Sequence, residues 1–148
     1  MAIPALNSDG LLPVGIHETT IEEIRQRFGS FDGSDRRIQL FARLEQLVTD
    51  LRKSRRFAAV VVDGSFVTAK RMPEDIDLIV ALRRDHDWNA DLGPSDYALV
   101  SRLALRRRFG FDVLLATDGG GDYERYVEFF GRVREDAVVR KGMLRIEL

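Results

Sequence analysis

Two aspartates, Asp75 and Asp77, flank a single isoleucine in the segment MPEDIDLIVAL. Side chains alternate between the two faces of a β-strand, so both carboxylates are expected to project from the same face. Two like charges held side by side are unfavourable unless a cation lies between them. A divalent metal that carries a phosphate substrate is the simplest such cation. The spacing therefore predicts metal-dependent phosphate chemistry.

A glycine-serine step, Gly64-Ser65, follows the apolar run FAAVVVD and precedes the aspartate pair. Glycine lets the backbone turn sharply and approach a ligand closely. Ser65 offers a hydroxyl and a backbone N–H to a phosphate. Lys70, in the loop that follows, is a candidate contact to a triphosphate, with a solvated loop lysine as the alternative. Asp63 is either a spare carboxylate near the metals or a capped strand end.

A third carboxylate, Asp112, begins a later apolar segment that is predicted to be a strand. With the aspartate pair it would complete a two-metal site. In such a site one metal helps to deprotonate an attacking hydroxyl, and the other holds the triphosphate and the leaving pyrophosphate. The alternative is a polar strand end whose carboxylate pairs with Arg107 or Arg108.

The elements that position these residues are predicted from apolar periodicity and end signals. Helices are predicted over residues 20–28, 35–54, 96–108 and 122–130, and strands over residues 57–63, 75–82, 111–116 and 143–148. The last strand is predicted at a sheet edge, and residues 1–18 are predicted to form an extended, loosely held arm. The fold class is α/β (α+β), a small mixed β-sheet flanked by helices. Residues 1–148 are predicted to be one domain.

Local signals mark several helix ends. Thr20 and Glu23 have the spacing of a capping box at the start of the first helix. Gly29 and Gly110 are predicted to end helices in the left-handed conformation, and residues 29–34 to form a loop. The apolar stripe of the second helix is predicted to begin at Ile38.

Composition excludes some functional classes. The 148 residues carry a net charge of −1, so no global field recruits nucleic acid. The absence of cysteine excludes disulfides, thiolate zinc sites and cysteine nucleophiles, and it fits a reducing cytoplasm. No apolar run approaches the roughly 20 residues that a helix needs to span a bilayer, so no membrane partner is expected.

These motifs together resemble the DNA polymerase beta-like nucleotidyltransferase superfamily. Gly64-Ser65 matches its glycine-serine turn, Asp75-Ile76-Asp77 its metal-binding pair and Asp112 its third carboxylate. The resemblance covers residues 57–116 and is closest to small bacterial stand-alone members of uncharacterised function. Asp63 departs from the family pattern, which more often has an apolar residue there.

The resemblance implies a nucleotidyltransferase fold, Mg²⁺ at the aspartates and an NTP substrate. The expected activity is transfer of a nucleoside monophosphate to a hydroxyl of a protein, an RNA or a small molecule. A partner chain or a homodimer is expected to complete the substrate site, because only a helix and a tail follow Asp112. The alternative is a catalytically inactive binding module, such as a toxin–antitoxin or regulatory partner. A metal-dependent phosphohydrolase or nuclease is a third interpretation.

Overall fold

The computed structural model describes residues 3–30, 35–133 and 136–148. The helices in these ranges are α1 (Ile21–Phe28), α2 (Arg36–Ser54), α3 (Pro94–Leu99), α4 (Arg102–Phe109) and α5 (Gly121–Phe130). The strands are β1 (Ile16–Thr19), β2 (Phe57–Asp63), β3 (Asp77–Leu82), β4 (Asp112–Thr117), β5 (Arg132–Val133), β6 (Asp136–Arg140) and β7 (Met143–Glu147). The predicted mixed α/β class is confirmed. None of these helices combines the length and the apolar character needed to cross a membrane.

Five strands form one mixed sheet in the order β1-β7-β2-β3-β4, and β5 and β6 form a separate hairpin. Two pairs are parallel, β1 with β7 and β3 with β4, and the other two are antiparallel. The prediction that the C-terminal strand lies at an edge is wrong, because β1 pairs with its outer side. An alternating strand pattern is compatible with either position, so the pattern alone did not decide between them.

Both faces of the central strands are covered. One face of β2 and β3 packs against α1, α2 and α4, and the other packs against α5. Burial on both sides explains why the sequences of β2 and β3 are almost continuously apolar. Val61 and Ile79 pack against α5. Asp63 and Asp77 lie two residues from them along β2 and β3, so they point to the same face of the sheet. The carboxylates at the strand ends therefore project to the α5 side of the sheet.

Helix α1 begins as predicted, because the Thr20 hydroxyl accepts a hydrogen bond from the Glu23 amide at 3.2 Å. The left-handed end at Gly110 is confirmed, with φ at 77°. The left-handed end at Gly29 is wrong: its φ is −70°, and its N–H donates to carbonyls of the last turn. The predicted loop 29–34 falls mostly on residues 31–34, which lie outside the described ranges.

The single helix predicted over residues 96–108 is in fact two helices, α3 and α4. Ser101 is extended between them, and its hydroxyl accepts a hydrogen bond from the Ala104 amide at 3.2 Å. This serine caps α4 and ends the preceding turn. Apolar spacing continues across the break, so periodicity concealed it.

The N-terminal arm is extended but not loosely held. Ile3 and Leu12 are buried in the main core, and β1 joins the sheet. The Gly10 carbonyl accepts a hydrogen bond from the Ala69 amide at 2.9 Å. The arm is therefore tied to the loop that follows Gly64-Ser65, where phosphate contacts are predicted.

Candidate metal centre

Three strand ends bring the acidic residues together. In the antiparallel pair of β2 and β3, Asp63 lies opposite Asp77. In the parallel pair of β3 and β4, Asp77 lies opposite Asp112. The C-terminal end of β2 and the N-terminal ends of β3 and β4 thus meet at the same end of the sheet. Residues that are far apart in the sequence become cross-strand neighbours there.

The carboxylates of Asp75, Asp77 and Asp112 converge. Each offers one oxygen atom, and these oxygens lie within 4.8 Å of one another. Asp75 precedes β3, which begins at Asp77 rather than at residue 75 as predicted, yet its carboxylate still joins the group. Mg²⁺ prefers oxygen ligands at about 2.1 Å in octahedral geometry, which places neighbouring ligands about 3 Å apart and opposite ligands about 4 Å apart. A group of carboxylate oxygens within 4.8 Å of one another fits Mg²⁺ in chemistry and is only slightly wider than that spacing.

Gly64 adopts a backbone conformation that only glycine tolerates, with φ at 89° and ψ at −176°. A Cβ atom built there would lie 3.0 Å from the Asp77 amide nitrogen and 3.3 Å from its Oδ2. The absence of a side chain at Gly64 therefore lets the turn approach Asp77 closely.

We expect Gly64→Ala to destabilise the fold by about 1–3 kcal/mol and to weaken metal binding, because the new methyl group strains the turn and displaces Asp77. Gly110→Ala is the matched control. Gly110 also has a positive φ, but a Cβ atom there would meet only the flexible Arg43 side chain. Urea unfolding and Mn²⁺ titration of both variants test this expectation. Equal metal affinities in the two variants would contradict it.

Ser65 is held within a 3₁₀ turn, Ser65–Val67. Its hydroxyl oxygen accepts a hydrogen bond from the Glu74 amide at 3.2 Å, and its carbonyl accepts one from the Thr68 hydroxyl at 2.6 Å. As an acceptor from Glu74, the Ser65 hydroxyl keeps its own proton as a donor. That proton is chemically suited to a phosphate oxygen. Lys70 lies on the same loop and pairs weakly with Glu74, at 3.7 Å.

A buried arginine on α2 organises this loop. Arg37 is fully buried, and its guanidinium donates hydrogen bonds to the carbonyls of Phe28, Phe66, Thr68 and Lys70. Burial lowers the pKa of Arg37 to about 10, so the guanidinium stays charged at neutral pH. Since three of the carbonyls belong to residues 66–70, Arg37 fixes the backbone that carries Ser65 and Lys70.

The carboxylates open onto a cleft of about 740 Å³, a volume typical of small-molecule sites. Its lining includes every site residue predicted from the sequence: Gly64, Ser65, Lys70, Asp75, Asp77 and Asp112. Cations also line it, namely Lys70, Arg102, Arg132 and Lys141. Phe129, at the end of α5, exposes 61% of its surface and forms part of the wall. The cleft therefore combines acidic, basic and aromatic groups.

Asp112 and Asp63, at this end of the sheet, pair with basic side chains of the same chain. Asp112 forms an ion pair with Arg106, not with Arg107 or Arg108. Asp63 accepts hydrogen bonds from Lys141 Nζ at 2.8 and 2.9 Å, one to each oxygen. Burial raises the pKa of the Asp63 carboxyl, and the Lys141 ammonium opposes that rise. The charge of Asp75 adds to the rise, so the two carboxylates interact electrostatically.

Comparison with known proteins identifies a family. The model of the "Family of unknown function (DUF6932)" matches residues 4–147. The chain belongs to this family. No curated protein and no solved structure shows a significant match. Every cleft residue of this DUF6932 chain lies within the matched segment.

Two residues of the DUF6932 chain that shape the site, Arg37 and Lys141, were absent from the sequence prediction. Arg37 precedes Leu40, Phe41 and Leu44 at helical spacing, so the sequence indicates that it lies on the buried face of α2. Of the residues predicted for the stripe, only Ile38 is wrong, because it is 53% exposed. The others are buried: Phe41, Leu44, Leu47, Val48 and Leu51. Lys141 carried no local signal, because its partner Asp63 lies 78 residues away in the sequence.

Proposed function

We propose that this protein is a Mg²⁺-dependent nucleotidyltransferase. It transfers a nucleoside monophosphate from an NTP to a hydroxyl of a protein, an RNA or a small molecule. The observation that supports this most strongly is the convergence of Asp75, Asp77 and Asp112 beside the Gly64-Ser65 turn. The proposed reaction places the protein in the cytoplasm, where NTPs and Mg²⁺ are abundant.

Each residue has a role in this proposal. Asp75, Asp77 and Asp112 hold Mg²⁺, which when bound supplies neutralisation of the phosphate charge. Asp112 also takes the proton of the acceptor hydroxyl, since it is the most exposed of the three carboxylates. The acceptor oxygen forms a bond to the α-phosphorus, and the bond from the α-phosphorus to the bridging oxygen breaks. Pyrophosphate leaves.

The cleft residues position the triphosphate. The Ser65 hydroxyl donates its proton to a phosphate oxygen while it still accepts from the Glu74 amide. Lys70 exchanges its weak pairing with Glu74 for the phosphates, which carry more charge. Arg102 and Arg132 lie on the cleft wall and add positive potential around the leaving group.

The direct test compares the fate of NTP labelled at the α-phosphate with that of NTP labelled at the γ-phosphate. Purified protein is incubated with Mg²⁺, a cell extract as the source of acceptors, and NTP labelled at the α- or the γ-phosphate. We expect label from the α-phosphate to enter protein, RNA or a small-molecule product, and label from the γ-phosphate to leave as pyrophosphate. EDTA should stop both. Release of orthophosphate without α-label transfer would identify a phosphohydrolase instead.

A non-catalytic binding module is the second candidate, and the ion pair of Asp112 with Arg106 favours it. In that function the cation of the same chain replaces a metal, and the cleft end of the sheet contributes to binding a protein partner or a second copy of the chain. A toxin–antitoxin or regulatory complex of this kind should survive Asp75→Ala and Asp77→Ala. Size-exclusion chromatography with light scattering, alone and with the product of a neighbouring gene, distinguishes it from the enzyme.

A further inference from the structure

A fourth carboxylate, Asp63, lies beside the three that converge. It is the cross-strand neighbour of Asp77 and projects to the same face of the sheet. Its side chain is only 3% exposed, so its charge is poorly solvated. An ionised carboxylate in this position needs a cation, and a divalent metal at the neighbouring aspartates would be one.

Lys141 already fills that need. Its ammonium donates one hydrogen bond to each oxygen of Asp63, at 2.8 and 2.9 Å. The lysine side chain is itself only 16% exposed. Both oxygens of Asp63 therefore have a charged partner from the same chain. Asp63 does not belong to the group of three converging carboxylates, Asp75, Asp77 and Asp112.

The backbone around Lys141 is firmly placed. The Lys141 amide donates a hydrogen bond to the Gly131 carbonyl at 2.9 Å, and the Gly142 amide donates one to Leu12 at 3.0 Å. A Cβ atom at Gly142 would lie 1.8 Å from the Pro13 carbonyl oxygen. The end of α5 and the N-terminal arm thus hold this corner from two sides. Lys141 is a fixed part of the cleft wall and not a mobile surface lysine.

We infer that Lys141 is a built-in counter-cation that keeps Asp63 from coordinating the metal held by Asp75, Asp77 and Asp112. It is a positioning residue, because it acts on the metal through Asp63. Without it, the freed carboxylate of Asp63, the cross-strand neighbour of Asp77, joins the ion and changes its coordination. This inference rests on the metal site of the proposed function.

The test is a double-mutant cycle on the full chain, with Mn²⁺ alone as the probe and binding followed by electron paramagnetic resonance. K141M is expected to tighten Mn²⁺ binding by about tenfold, because Asp63 adds one unit of uncompensated negative charge beside the ion. D63N is expected to weaken binding by a similar factor, since Lys141 then repels the metal. The double variant D63N/K141M should return to within about threefold of wild type.

Two controls separate this role from a structural one. K141R keeps the charge and should keep the wild-type Mn²⁺ affinity. R145M removes a different buried ion pair, that of Arg145 on β7 with Asp118 at 2.9 Å. The Arg145 side chain is 13% exposed, a burial close to the 16% of Lys141. It pairs away from the carboxylate cluster, and R145M should leave Mn²⁺ affinity unchanged.

The outcomes are distinct. If wild type binds Mn²⁺ and K141M binds it with the same affinity, the role of Lys141 is overturned and the proposed function is left intact. Absence of Mn²⁺ binding in both wild type and K141M would overturn both. Should K141M fail to fold, D63N and the double variant decide: an affinity of D63N equal to or tighter than wild type would overturn the inference.

Discussion

Asp77→Asn is expected to abolish nucleotidyl transfer, with a loss of at least about 1000-fold in rate. Asp77 is the central carboxylate, because it lies opposite Asp63 on one side and Asp112 on the other. Asparagine keeps the shape of the side chain but removes the negative charge that we propose binds Mg²⁺. The rate of α-phosphate label transfer measures the loss, and Mn²⁺ titration should show weaker binding in parallel.

Asp85→Asn is the matched control for this variant. Asp85 is an exposed aspartate that follows the far end of β3, away from the cleft. Its replacement should change neither transfer nor Mn²⁺ affinity, and circular dichroism should show that both variants remain folded. Transfer by Asp77→Asn at a rate close to that of wild type would reject the metal assignment. It would leave the observed convergence of the three carboxylates without a catalytic role.

Arg37→Met is expected to lower the free energy of unfolding by about 3–5 kcal/mol. Methionine approximates the apolar part of the side chain but leaves four carbonyls without their charged donor, those of Phe28, Phe66, Thr68 and Lys70. A buried carbonyl that loses its partner costs about 1–3 kcal/mol. The total is less than the sum, because the carbonyls of Thr68 and Lys70 are close enough to solvent to be rehydrated. Urea unfolding measures the change.

Two further variants sharpen this result. Arg37→Lys keeps a charge but loses the planar fork, so it should lie between wild type and Arg37→Met. Arg43→Met changes an exposed arginine of the same helix, and its stability should stay within about 0.5 kcal/mol of wild type. If Arg37→Met unfolds at the same urea concentration as Arg43→Met, the carbonyl contacts of Arg37 contribute little to stability.

The carboxylate cluster could be predicted from the sequence because the patterns that mark its residues are local. A buried strand appears as an apolar run, and a glycine-serine break ends it. The alternation of Asp75 and Asp77 predicts one shared face for a strand that includes both residues. β3 begins only at Asp77, and the Asp75 carboxylate still joins the group. The position of Asp112 at a strand start then required only that its strand lie beside β3. These features depend on near neighbours in the sequence, where period and turn chemistry are informative.

The rest depended on contacts between distant segments. Whether β7 lies at an edge or inside the sheet is decided by β1, which is far from it in the sequence. The partner of Asp63 is decided by the placement of the β6–β7 connection. Arg37 was overlooked because a charged residue on a helix is usually solvated, and tertiary packing overrides that preference here. Each of these outcomes follows from burial, which local patterns describe only in part.

The position of β7 has a consequence for synthesis of the protein on the ribosome. β7 follows every other strand in the sequence, yet it lies between β1 and β2. Until it emerges, β1 has no partner and β2 presents an open row of backbone donors and acceptors to other chains. Long-range pairings of this kind form late and slowly. The nascent chain is therefore expected to complete this sheet only after Glu147 has emerged from the ribosome, and β2 is exposed to edge-to-edge association until then.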